Sequence, residues 1–228
     1  MRILKEILSI LLILLIGISL VFVGMGYKMY KQAITDMPLS QKVETIKQKT
    51  DYTTLEEMPQ KYIDAVIAVE DHRFYEHNGI DVIAISRAAI NDIKAMSFVE
   101  GGSTITQQLA KNTYFTQEKK IERKIAEVFM AFDMENNLSK NEILELYLNT
   151  AYFGNGYYTV KEASRGYFSK EPQNMTDAES IMLAGIPNAP SVYNPKKNFE
   201  LAKQRQAQVV KKMIKYGILT DKEASEIL

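Results

Sequence analysis

From Ile7 to Tyr27 the chain carries no charged residue. As a helix this run of about 21 positions spans roughly 30 Å, the thickness of a bilayer's hydrocarbon core. Nothing else in the sequence restricts the fold so sharply. A cleaved signal peptide or a buried core helix is the other use of such a segment. Signal peptides have a shorter apolar run and a small-x-small cleavage site, which Gly24-Met25-Gly26 matches poorly. The expectation is a retained single-pass anchor, with its stub, over residues 1–27. Charge does not orient it: Arg2 and Lys5 flank one end, Lys28 and Lys31 the other, close to a tie under the positive-inside rule.

Residues 28–58 are polar, mixed in charge and weakly patterned, as expected of a juxtamembrane connector that is part helix. From Pro59 the texture changes to dense apolar periodicity, which sets a domain over 59–228. Tyr62, Ala65, Val66 and Val69 recur at helical spacing, and Ile83, Ala84, Arg87, Ala88 and Ile90 suggest a second helix. A third should start at Ser103-Thr104, after Gly101-Gly102, and run through Lys111. A longer one should cover Ile121 to about Met134, with Ile125, Val128, Phe129 and Phe132 on its apolar side, until Asn136-Asn137 breaks it. Ser139–Glu142, Thr176–Glu179 and Thr220–Glu223 have the form of capping boxes, and Pro187 must end the second of these helices. Strand alternation is almost absent. The fold class is therefore mainly α, a single helical domain on a membrane tether.

Composition narrows the chemistry. Basic and acidic residues both number 28, so net charge suggests no nucleic-acid partner. With no cysteine, disulfides, thiolate metal sites and cysteine nucleophiles are excluded. Three segments remain. Glu70-Asp71 follows the apolar Ala65–Val69 run where its helix should end; the pair suits proton transfer, or is simply a solvated helix end paired with Arg73. His72 and His77 lack the spacing of a helical zinc pair and suit a structural role in a loop. Gly101-Gly102 before hydroxyl-rich Ser103-Thr104 offers backbone N–H groups to a phosphate, or is a flexible loop closed by an N-cap. Lys111, Lys119, Lys120, Arg123 and Lys124 outnumber Glu118 and Glu122; Arg123 and Glu127 fall four apart, on one helix face. That cluster is either a solvated face or a diphosphate site.

Taken together, the segments resemble the peptidoglycan glycosyltransferases, glycosyltransferase family 51, over nearly all of 59–228. The motifs stand in order as Glu70-Asp71-x-x-Phe74-x-x-His77-x-Gly79, then Gly101-Gly102-Ser103-Thr104-Ile105-Thr106-Gln107-Gln108 with Lys111-Asn112, then Arg123-Lys124-x-x-Glu127. A fourth runs Lys140-x-Glu142-Ile143-Leu144-Glu145-x-Tyr147-Leu148-Asn149, and a fifth Leu183-Ala184-Gly185-Ile186-Pro187-Asn188-Ala189-Pro190-Ser191-x-Tyr193-Asn194-Pro195. Thr159 and Lys161 depart from the family pattern, as does Asn188 where Gln is usual.

The resemblance implies a lysozyme-like, two-lobed helical domain that polymerises lipid II into glycan strands, inverting the donor carbon and releasing undecaprenyl diphosphate. It implies Glu70 as general base, with Glu127 as a second carboxylate. Asp71, Phe74, His77, Ser103, Thr104, Gln107, Gln108, Lys111, Asn112, Arg123 and Lys124 match its substrate-binding positions. No metal ligand is assigned, and a divalent cation (Mg or Mn) stays open as a cofactor. The implied partners are lipid II, the growing strand, the cytoplasmic membrane, and penicillin-binding transpeptidases or other cell-wall synthesis proteins. The domain is expected on the extracytoplasmic face, sensitive to phosphoglycolipid antibiotics, with Met96, Phe98 and Val99 dipping into the interface or packing on the core. No Ser-x-x-Lys or Lys-Thr-Gly occurs, so a monofunctional chain is expected. The competing classes are a glycan-cleaving enzyme on a related fold, which needs no diphosphate site, and a catalytically dead scaffold.

Overall fold

The uncharged run lies within one unbroken helix, α1 (Arg2–Asp36), in a computed structural model that describes residues 2–96, 101–116, 118 and 120–228. This helix is long and apolar enough to cross a membrane, and its apolar window is not buried inside the protein. It does not stop at Tyr27. Its last turns lie along the domain, and Tyr30 is buried there.

Residues 28–58, expected as a connector, are built into the core. Pro38 opens α2 (Leu39–Lys47), which buries Leu39 and Ile46. Beyond it the Thr53 backbone donates to Asn149 Oδ1 at 2.9 Å, and the Asn149 amide donates back to the Thr53 carbonyl at 2.8 Å. The Leu55 N–H donates to Glu145 Oε2 at 2.9 Å, and the Tyr52 hydroxyl donates to Glu145 as well. Tyr30, Leu39, Ile46 and Met58 join the core from this segment, but they are widely and unevenly spaced, and backbone hydrogen bonds fix much of what lies between. Weak patterning hid it for that reason.

The rest is helical. α3 (Gln60–Glu70) buries its predicted stripe of Tyr62, Ala65, Val66 and Val69 and packs on α9 (Asp177–Gly185) and α10 (Phe199–Lys215). α4 (Val82–Ala95) follows a bend at Gly79, whose φ is +87°. A Cβ there would meet the Ala131 backbone at 3.2 Å, so the bend requires glycine. α5 (Ile105–Tyr114) packs on α6 (Ile121–Asn137) and α7 (Lys140–Leu148). α8 (Val160–Phe168) and α11 (Asp221–Ile227) complete the domain. The three expected capping boxes are formed, and Thr54–Glu57, Thr104–Gln107 and Thr159–Glu162 add three more. Among the described residues the only extended pairing is one bridge between Gly154 and Tyr157.

One expected face is different. On α6 the buried residues are Ala126, Glu127, Met130, Ala131 and Met134, not Ile125, Val128, Phe129 and Phe132. The latter stripe is only partly covered: Ile125 and Phe129 meet α1, Val128 lines a groove beside α4, and Phe132 is exposed. Apolar periodicity finds a helix's sticky side without saying which neighbour covers it.

Candidate active site

Where α3 ends, its last residue opens onto a cavity of about 740 Å³. The walls come from the α3 terminus, the start of α5, α4, the turn at Pro187-Asn188, and α10. Glu70 is the final residue of α3 and is half-buried at the cavity edge. Gln108 Nε2 donates to Glu70 Oε2 at 2.9 Å, while the buried Tyr147 hydroxyl donates to Gln108 Oε1 at 3.3 Å. This relay fixes one carboxylate oxygen from the core and leaves the other toward the cavity.

Asp71 is oriented differently. It is buried, and both its oxygens lie 3.0–3.1 Å from His77 Nε2. Its Oδ2 also accepts from the Ile105 N–H, at the first turn of α5, at 3.0 Å. Thr104 caps α5, and its hydroxyl donates to the Gly79 carbonyl at 2.6 Å. Gln107 closes the capping box and Phe74 is fully buried. Phe74, His77, Thr104 and Gln107 therefore form the floor that sets Glu70 against α5, and none of them lines the cavity. Asn112 is half-buried on α5, also off the cavity wall. Arg73 pairs with neither member of the acidic pair. It forks onto Asp81, the N-cap of α4, through two bonds of 3.0 Å. Burial pushes the Asp81 carboxyl up, but the Arg73 fork and the Ala84 N–H together outweigh it and hold the pKa below its ordinary value. Replacing Asp71 with Ala should cost about 2 kcal/mol, by stranding buried donors. That lowers the thermal midpoint by roughly 4–8 °C for a domain of this size. An unchanged midpoint in a thermal melt would remove Asp71 from this structural role.

The second carboxylate lies on α6. Glu127 is buried, with Arg123 Nη1 on Oε1 and Lys124 Nζ on Oε2 at 2.9 Å. Lys124 Nζ also donates to Ser103 Oγ at 2.7 Å, and Ser103 lines the cavity. Lys111 reaches the same wall from α5. Burial pushes the Lys111 pKa down. Glu127 opposes that shift, Arg123 and Lys124 add to it, and Glu70 opposes it more weakly. Lys111 thus sits within electrostatic range of both carboxylates. Lys119 lies outside the described residues, and Lys120 turns to Glu118 at the surface, at 2.6 Å. Among the described residues no three carboxylates or imidazoles cluster, and both Glu127 oxygens are occupied by cations.

Sequence reasoning missed the opposite wall. Arg205, Gln208 and Lys212 of α10 line the cavity, as do Arg87 of α4 and Tyr216. Arg205 packs over the Tyr193 ring at 5.5 Å, and Lys212 Nζ donates to the Val69 carbonyl at 3.0 Å, beside Glu70. His72 stacks on Tyr216 with centroids 4.2 Å apart. Burial, then Arg87, pushes its pKa down. The signal was present: 205, 208 and 212 follow i, i+3, i+7 on one helix face. Met96, proposed to enter the interface, is 93% exposed at the end of α4, while Phe98 and Val99 lie outside the described residues.

A family model described as Transglycosylase matches residues 38–214, starting at α2 rather than at Pro59. Penicillin-binding protein 2D of Bacillus subtilis (strain 168) is 44% identical over 181 residues, covering 79% of this chain and 26% of that protein. Penicillin-binding protein 1A of Aquifex aeolicus (strain VF5) is 44% identical over 179 residues, covering 78% and 25%. The chain spans about a quarter of the length of these curated relatives. Among solved structures, penicillin-binding protein 1A from Haemophilus influenzae aligns over 78% of this chain and 17% of its own, at 23% identity and a TM-score of 0.47.

Proposed function

The chain belongs to the transglycosylase family, and on that premise we propose that it polymerises lipid II into peptidoglycan glycan strands at the outer face of the cell membrane. One observation carries the reading: Glu70 and the Ser103–Lys111 wall, backed by Lys124, Arg123 and Glu127, face the same cavity. A glycosyl transfer from a diphosphate needs that pairing of a base and an anion site.

The acceptor's C4 hydroxyl oxygen attacks the anomeric carbon of the donor sugar. Its proton passes to Glu70 as the new bond forms. On the opposite side the bond from that carbon to the lipid diphosphate breaks, and the electron pair leaves with the diphosphate, so the carbon inverts. Negative charge grows on the leaving oxygen, where Lys111 and the Lys124–Ser103 pair lie ready to meet it. Glu127 neutralises and aims Arg123 and Lys124, keeping three cations from repelling one another out of position. α1 serves the same chemistry, since a substrate with a polyprenyl tail stays in the bilayer.

The test is polymerisation of purified lipid II by the full chain, with products separated on a gel. Glycan ladders, suppressed by a phosphoglycolipid antibiotic, are the expected result. Silence on lipid II together with release of fragments from preformed peptidoglycan would overturn the reading and make the chain a lytic enzyme; silence in both assays would make it a scaffold.

A further inference from the structure

The emerging end of the anchor does more than tether. Of its described helix partners α1 packs most extensively on α6, the helix that carries Arg123, Lys124 and Glu127. Gly26 faces Ile125 so closely that a Cβ on it would stand 2.5 Å from Ile125 Cγ2, 2.6 Å from Ile125 Cβ and 2.9 Å from the Glu122 carbonyl oxygen. One turn on, Tyr30 stacks on Phe129 with centroids 6.0 Å apart, and Tyr27 meets the same ring edge-on at 5.2 Å. Lys31 lies over both tyrosine rings.

The two contacts also fix a register. Gly26 opposes Ile125 and Tyr30 opposes Phe129, four residues on in each helix, so α1 and α6 run in the same direction here. That sets Glu127 about level with Lys28, the first charged residue after the uncharged run. Arg123 and Lys124 fall one turn lower, level with the last turn of the uncharged run. A diphosphate whose polyprenyl tail is in the bilayer has its charge at this depth.

We propose that Gly26 is a positioning residue: by lacking a side chain it lets the anchor and α6 touch, which holds the cation cluster at the height of the membrane surface. The inference rests on the reading of α6 as the diphosphate-binding helix. Carbon atoms in contact lie about 3.5–4.0 Å apart, so any side chain at 26 must part the helices by roughly 1 Å. The Glu122 carbonyl cannot rotate away as a flexible side-chain end would. A displacement of about 1 Å in a catalytic constellation can cost on the order of 10²-fold in rate. Gly24 provides the control, because it lies on the same helix with nothing within 4 Å of its would-be Cβ.

The experiment uses the full chain in lipid nanodiscs with lipid II, comparing wild type with Gly24→Leu, Gly26→Ala and Gly26→Leu. Gly24→Leu should turn over within about twofold of wild type, Gly26→Ala roughly tenfold slower, and Gly26→Leu about 10²-fold slower. The loss should fall on kcat with KM nearly unchanged, in a protein whose thermal midpoint matches that of Gly24→Leu. Equal turnover of the two leucine variants would overturn the proposal. So would a loss that tracks a lowered midpoint, since that is what a merely structural contact gives. A wild type that makes no polymer would sink the functional reading and this inference with it; an active wild type with an indifferent Gly26→Leu would sink this inference alone.

Discussion

Glu70→Gln is expected to lower the rate of glycan polymerisation by about 10²–10⁴-fold, the usual worth of a positioned base. The substitution keeps the size of the side chain and an oxygen to accept the Gln108 amide hydrogen. It removes the ability to take a proton. The fold should survive, because Glu70 is half-buried at a helix end and its bond with Gln108 can be kept. Thermal melts of wild type and variant should then overlay while the gel ladder disappears. Glu70→Asp sharpens the test: a carboxylate withdrawn by one methylene keeps its chemistry and loses its reach, so its rate should fall between the two. If Glu70→Gln retained a tenth of the wild-type rate, the base would lie elsewhere. Asp71 is a poor substitute, with its oxygens already committed to His77 and the Ile105 N–H.

The helices were legible wherever local chemistry dictates them. α3 shows its stripe, and Ser139, Thr176 and Thr220 announce their helices because a capping box is local, three residues from donor to acceptor. Glu70 and Gln108 were both singled out, and the bond between them spans 38 positions, a distance that only the fold can close. What sequence could not apportion was role. Phe74, His77, Thr104 and Gln107 belong to the same motifs as Glu70 and Ser103, yet they build the floor rather than the wall. A motif records that residues are needed together, not which of them meets solvent. The α10 wall was overlooked for a related reason. No motif marks Arg205 and Lys212, and only the packing of α10 on α3 turns their side into the cavity. The α6 stripe misled in the same way, because the helix has two apolar neighbours and α1 takes one of them.

Lys111→Met should reduce kcat by about 10²–10³-fold, the loss found when one preorganised stabiliser of developing charge is removed. Methionine keeps most of the aliphatic stem, so packing on α5 is preserved and only the charge is lost. The charge is also the part that responds to pH. Burial, the largest influence, pushes the Lys111 pKa below that of an ordinary lysine; Glu127 resists this, and Arg123 and Lys124 reinforce it. The protonated form is the active one, so activity is complete below the lowered pKa and declines as pH rises through it. That decline comes earlier than a free lysine would give. Arginine does not deprotonate in this range, so Lys111→Arg, slower because its fork fits the site less well, should lose the alkaline decline altogether. The acid side of the profile should be the same in both proteins. The check is kcat measured against pH for wild type and Lys111→Arg at saturating lipid II. A persistent alkaline decline in Lys111→Arg would assign it to another group and leave Lys111 as a substrate-orienting contact, for which Lys111→Met should raise KM rather than lower kcat.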